Sequence, residues 1–206
     1  MTASPRNAEQ TLTVAATGAS GAIFTRALLR IVERDPRVKT VNFIASDNAL
    51  RVFAEELEIK GRSGLVEKLI DATSKKIRQQ NNDDIGANVA SGSYPTNVMI
   101  VLPCSMGTLA GIANGLARTL IERAADVCLK EKRPLVLCVR ETPLNRIHLR
   151  NMSWAAEAGA AIYPMIPTFY NRPQTIEDLA HQFACRVLAF IGLPQNDAYV
   201  WGDKSS

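Results

Sequence analysis

Three small polar clusters in this sequence carry residue types that can do chemistry, and each follows an apolar run. Gly18-Ala19-Ser20-Gly21 is a small-residue turn in which backbone can approach a phosphate closely. In Cys104-Ser105-Met106-Gly107-Thr108, Ser105 and Thr108 can cap the helix that follows and leave backbone N–H groups free for an anionic or polar ligand. Arg140-Glu141-Thr142-Pro143 comes directly after the apolar run Leu135 to Val139, and an arginine in that position calls for a partner. Glu141 is either that partner or an acid/base group. Arg123, Lys130 and Arg186 are read as gathering on the same edge as Arg140, with a solvated helix face as the plain alternative for each. The Gly18 turn matches neither G-x-G-x-x-G nor the Walker pattern. His148 and His181 are the only histidines and lie far apart, so a surface role is the reading for each, with no zinc site and no Ser-His-Asp set.

The elements that must position these clusters read as alternating strands and helices. A strand at Thr11 to Thr17 runs into the Gly18 turn, and Ile23, Ala27, Leu28 and Ile31 then share one helical face. Val38 to Ala45 predicts a second strand, with Asp47 as N-cap of a helix through Glu58. Residues 63–80 read as a helix, frayed toward an edge strand near Ile77, and Asn81 to Asn97 as a long loop of the kind that is either functional or disordered. Val98 to Leu102, closed by Pro103, predicts a strand buried on both faces. After the strand Leu135 to Val139 comes a helix from Leu144 to Ala158, stopped by Gly159. A last strand, Ala160 to Tyr163, leads into a proline-bracketed loop carrying Tyr170. Thr175 caps a final helix to Ile191. This alternation predicts a three-layer, flavodoxin-like or Rossmann-like α/β fold with a mostly parallel sheet, whose ligands bind at the carboxyl ends of strands.

Composition narrows the function classes. At 206 residues and 47% hydrophobic, the chain can bury one substantial core. The expected organisation is a tail at 1–10, a single domain at 11–193 and a tail at 194–206. A net charge of +4 without basic runs, and only 6% aromatics, argue against nucleic acid as a partner. Without an apolar leader or an 18-residue apolar run, the reading is a soluble cytoplasmic protein with no membrane contact. The four cysteines lack C-x-x-C spacing and are expected to be reduced thiols.

In order and spacing, several pieces together resemble the UbiX-type flavin prenyltransferases over about residues 11 to 193. They are Gly18 to Gly21, Ala90-Ser91-Gly92-Ser93, Pro103-Cys104-Ser105, Glu122 to Val127, Leu129-Lys130-Glu131, Arg140 to Leu144 and Phe169 to Gln174. The resemblance implies a metal-independent enzyme that joins a dimethylallyl group from dimethylallyl monophosphate to N5 and C6 of reduced FMN. It further implies prenylated FMN as a product for a UbiD-type decarboxylase, and a homododecamer built of trimers with sites at subunit interfaces.

Carried across by residue, the resemblance implies that Gly18, Ala19, Ser20, Ser46, Ser105, Met106, Gly107, Thr108 and Arg140 hold FMN. Arg123, Lys130, Tyr170 and Arg186 would bind the prenyl phosphate, some of them from a neighbouring subunit. Ser20, Glu56, Glu141 and Lys130 would carry the catalytic proton and phosphate handling. Ile85 stands where some members carry a tryptophan. Fixed cations aimed at a departing phosphate make chemical sense of this set, because breaking an allylic C–O bond leaves charge on the phosphate. Two rivals stand beside it, a flavin-dependent cysteine decarboxylase of similar fold and a non-catalytic flavin carrier. The first would be expected to carry a histidine after an early strand, and here none precedes His148.

Overall fold

The structure, a computed structural model, describes residues 9–202. Six strands form one sheet in the order β3-β2-β1-β4-β5-β6, and every neighbouring pair is parallel. They are β1 (Gln10–Ala16), β2 (Val38–Ala45), β3 (Ile77–Asn81), β4 (Val98–Cys104), β5 (Leu135–Val139) and β6 (Ala161–Ile162). The helices are α1 (Ala22–Arg34), α2 (Asp47–Leu57), α3 (Leu65–Ile70), α4 (Met106–Ala113), α5 (Leu120–Lys130), α6 (Arg146–Glu157) and α7 (Ile176–Phe190). The strand order reverses direction between β1 and β4, which puts the crevice of such a fold at their carboxyl ends.

Both faces of the sheet are covered, and the alternation of side chains shows it. In β4, Val98, Ile100 and Leu102 point into a core shared with α1, α3 and α7. Met99, Val101 and Cys104 point into a second core shared with α4 and α5. A strand buried on both sides has no polar face to show, hence the continuous apolar run. Each such side chain contributes about 1.5–3 kcal/mol on leaving water.

Several sequence expectations shift here. The buried face of α1 is Ala22, Thr25, Leu28, Leu29 and Val32, with Ile23, Ala27 and Ile31 only partly covered. The helix lies against α7 and α2 as well as the sheet, so its apolar side is broad and its period alone did not select the inner stripe. Ser46, not Asp47, caps α2, accepting from Ala49 N at 3.1 Å. The helix expected over 63–80 is the short α3, and Ile77–Asn81 is a true edge strand paired with β2. β4 continues through Pro103 to Cys104, since the ladder with β5 shifts between Val101 and Cys104 and asks no N–H of the proline. The loop at 81–97 is internally bonded and contains a single 3-10 turn at Asn88–Ala90. α6 starts at Arg146, capped by Asn145.

The ends also differ from two plain tails. Residues 1–8 and 203–206 lie outside the described part, but Gln10 already belongs to β1. Residues 194–202 are tied down: Arg37 donates to Pro194 O at 2.9 Å, and Gln182 donates to Asp197 O at 3.0 Å and accepts from Tyr199 N at 2.8 Å. No helix among the described residues is long and apolar enough to cross a membrane. The four cysteines are free and buried.

Candidate active site at the sheet's carboxyl edge

The site is built around Thr17, a residue the sequence reading left as the mere end of a strand. Its side chain is buried between the ends of β1 and β4. The hydroxyl donates to Pro103 O at 2.9 Å and accepts from Ser105 N at 2.8 Å. One hydroxyl at the end of an apolar strand therefore fixes the start of α4 against β1. Ser105 then caps α4, accepting from Thr108 N at 3.4 Å, and its Oγ meets Thr108 Oγ1 at 3.2 Å. The N–H groups of Met106 and Gly107 have no partner among the described residues. A side chain at Gly107 would meet open space. Two unpaired N–H groups at a helix N-terminus facing an opening suit an anion or a polar ring edge.

The Gly18 turn reaches the same edge in a different role. A Cβ at Gly18 would overlap Asn48 Cβ at the start of α2, so glycine is required for backbone to pass there. α1 has no side-chain cap of its own at Gly21. Glu56 supplies one, accepting from Ala22 N at 2.8 Å and from Gly21 N at 3.0 Å. The N–H groups of Gly21 and Ala22 are thereby occupied, while those of Met106 and Gly107 at the start of α4 are not. Ala19 is buried, and Ser20 is exposed. Ser46 follows β2, with its N–H on Ala16 O at 3.1 Å, which sets it beside the same crevice.

Arg140 leaves β5 with its N–H on Cys104 O at 3.2 Å, next to Ser105. Its side chain is exposed and forms no ion pair among the described residues. Glu141 is not its partner and instead accepts from Thr142 N at 3.0 Å. The neighbouring thiol is no nucleophile, because burial pushes Cys104 up to about 12.

Lys130 does not share this edge within one chain, although α5 starts near it, with Leu120 N on Asn82 O at 2.8 Å just past the end of β3. α5 runs back toward the amino ends of the strands, and Lys130 ends it just before the turn into β5. There Lys130 pairs with Glu131 and lies over Gly92, whose added Cβ would stand 2.8 Å from its Nζ. The Ala90–Ser93 motif thus sits with Lys130. Arg123, one turn into α5, holds Ala90 O at 3.1 Å and Asp126 at 2.7 Å. Arg186 lies ten residues into α7, about 15 Å from its start. It is exposed and borders a cavity of about 170 Å³ with Tyr170, Tyr199 and Trp201. Tyr170 and Trp201 meet edge-on with centroids 4.7 Å apart. The expected single cluster of cations is therefore spread out, because helices that cross over the sheet carry residues to both its edges.

Comparison with known proteins agrees with this architecture. The Flavoprotein family profile matches residues 2–184. Flavin prenyltransferase UbiX of Salmonella typhimurium is 46% identical over 183 residues, 89% of this chain and 92% of that protein. The enzyme of the same name from Pseudomonas aeruginosa is 40% identical over 199 residues, 94% of each. Among solved structures, AnUbiX (PadA1) in complex with FMN and dimethylallyl pyrophosphate matches with a TM-score of 0.85 at 39% identity, covering 95% of this chain and 98% of that one. The dodecameric FMN-dependent Ubix-like decarboxylase from Escherichia coli O157:H7 matches with a TM-score of 0.83 at 42% identity, covering 94% and 100%. Cypemycin decarboxylase, at 17% identity and a TM-score of 0.57, shares the fold alone. With matches of this identity along nearly all of its length, the chain belongs to the UbiX flavin prenyltransferase family.

Proposed function

We propose that this protein is a flavin prenyltransferase that joins the dimethylallyl group of dimethylallyl monophosphate to N5 and C6 of reduced FMN. The observation that carries the proposal is the α4 N-terminus at the β1/β4 reversal, with free N–H groups on Met106 and Gly107 and the unpaired Arg140 beside them. Those donors fit the polar and phosphate groups of FMN. In this reading Gly18, Ala19, Ser20, Ser46, Ser105, Met106, Gly107, Thr108 and Arg140 form the flavin site. Reduced FMN supplies the electron-rich nitrogen and carbon that take the prenyl group.

The remaining work falls to charge. Arg123, Lys130, Tyr170 and Arg186 hold the phosphate, so that the C–O bond breaks with its electron pair going to an oxygen already surrounded by donors. Ser20 and Glu141 stand at the carboxyl edge to move protons, and Glu56 keeps the Gly18 turn in place through its bonds to Gly21 and Ala22. Because Lys130 sits at the far edge of its own sheet, these cations join the flavin site only when a second subunit brings them. The apolar residues left uncovered on α6, Ile147, Leu149 and Trp154, support such an assembly, as does the dodecamer of the Escherichia coli relative. The free, buried thiols suit a reducing cytoplasm. A UbiD-type decarboxylase is the proposed recipient of the product.

The test is mass spectrometry of the flavin after incubating protein, reduced FMN and dimethylallyl monophosphate. A flavin heavier by one prenyl unit is expected. Unchanged FMN, with FMN demonstrably bound, would refute the assignment.

A further inference from the structure

We propose that His181, Cys185 and Asp197 form a binding site for a divalent transition-metal ion of the zinc class, which ties the 194–202 segment to α7. The three residues offer an imidazole nitrogen, a sulfur and a carboxylate oxygen, all within 4.8 Å of one another. His181 and Cys185 stand one turn apart on α7, and Asp197 arrives from the segment that folds back along that helix. The site lies on the flank of α7, apart from Ser105 and Arg140.

The distances suit a tetrahedral ion. Zinc takes thiolate at about 2.3 Å, imidazole at about 2.0–2.1 Å and carboxylate at about 2.0–2.2 Å, so neighbouring ligand atoms stand roughly 3.4–3.6 Å apart. Cys185 Sγ is already 3.5 Å from His181 Nε2. His181 Nε2 and Asp197 Oδ2 are 2.7 Å apart, the length of a hydrogen bond. An ion replacing the shared proton would push them open by about 0.7 Å and draw the Asp197 carboxylate, within 4.8 Å of Cys185 Sγ, onto the same centre. Asp197 is the member that can yield, being exposed and on an irregular segment.

The surroundings leave room for the fourth ligand. His181 and Asp197 border both a cavity of about 550 Å³ between α1 and α7 and a second one that runs to Tyr170. A water can therefore complete the sphere from the open side. One thiolate, one imidazole and one carboxylate together suit zinc or cobalt better than magnesium or calcium, which prefer all-oxygen shells. The thiol must lose its proton to the solvent as the ion enters. Thiolate ligation releases that proton, so binding tightens as pH rises. The same segment carries Tyr199 and Trp201 to the cavity beside Arg186, so the ion would fix the wall of that cavity.

The experiment uses untagged full-length protein, stripped with a chelator and titrated with cobalt(II) alone. The expected result is an intense thiolate-to-cobalt absorption band that saturates at one equivalent per chain and is displaced by zinc. Cys185→Ser should abolish the band, and Asp197→Asn should weaken cobalt binding by at least about tenfold, the scale of losing even an outer-shell partner. Asp197 is exposed, so that variant keeps the proposal testable even if Cys185→Ser folds poorly. Binding without the band, a band that survives Cys185→Ser, or equal affinity in Asp197→Asn would each overturn the proposal. These readouts do not depend on prenyl transfer.

Discussion

Replacing Arg186 by leucine separates a role in chemistry from a role in the fold. The ordinary structural partners of this arginine are engaged elsewhere. Glu177 faces Arg26 at 3.5 Å, and the Asp178 carboxylate accepts from Gln174 N and Thr175 N at 3.0 Å each. The Arg186 side chain makes no ion pair or hydrogen bond among the described residues, while Cys185 and Val187 on either side are buried. Its removal should therefore change stability by no more than about 0.5 kcal/mol, the usual range for an exposed position. If it grips the prenyl phosphate, the same change deletes a charge-assisted bond worth about 1.5–3 kcal/mol. That is about 10- to 150-fold in the transfer step. FMN affinity should stay nearly constant, because the flavin donors sit on other elements. Arg186→Lys should recover only part, since an ammonium cannot form the bidentate fork. The assay is prenylated flavin formed per folded chain, with thermal melting and FMN titration on the same preparation. A melting point lowered by several degrees with turnover per folded chain intact would refute the reasoning.

Two further predictions concern the frame. Asp35 is buried beside Arg37: burial alone would raise its pKa, but hydrogen bonds from Arg37 and Gln195 outweigh that and lower it to about 2. A carboxylate so lowered adds stability that is present above its unfolded value near 3.8 and is lost as pH falls through about 2. Asp35→Asn should thus cost roughly 2 kcal/mol at neutral pH. In urea denaturation the gap between the two proteins should close below about pH 4; a gap constant in pH would speak against it. Gly18→Ala should cost about 1–3 kcal/mol by forcing Asn48 and the start of α2 aside. It should weaken FMN binding as well, and wild-type melting with wild-type FMN affinity would show that the close approach is not needed.

The sequence by itself determined what depends on neighbours along the chain. β2 and β5 appear where their apolar runs place them, Val38–Ala45 and Leu135–Val139. Ser105 and Thr175 cap the helices they precede, because a hydroxyl at that offset reaches an N–H two or three residues on. The ordered motifs from Gly18 to Phe169 were enough to point to the family. Tertiary structure decided what depends on direction and distant partners. That α1 buries Ala22 and Thr25 rather than Ile23 follows from its contacts with α7, α2, α3 and the sheet. That Lys130 lies far from Ser105 follows from α5 running against the strands, which no spacing in the sequence records. Glu56 on the N–H groups of Gly21 and Ala22 spans 35 and 34 residues. The histidine read as a lone surface group meets Asp197 because a segment of no regular pattern folds back along α7, and only the packed chain holds it there.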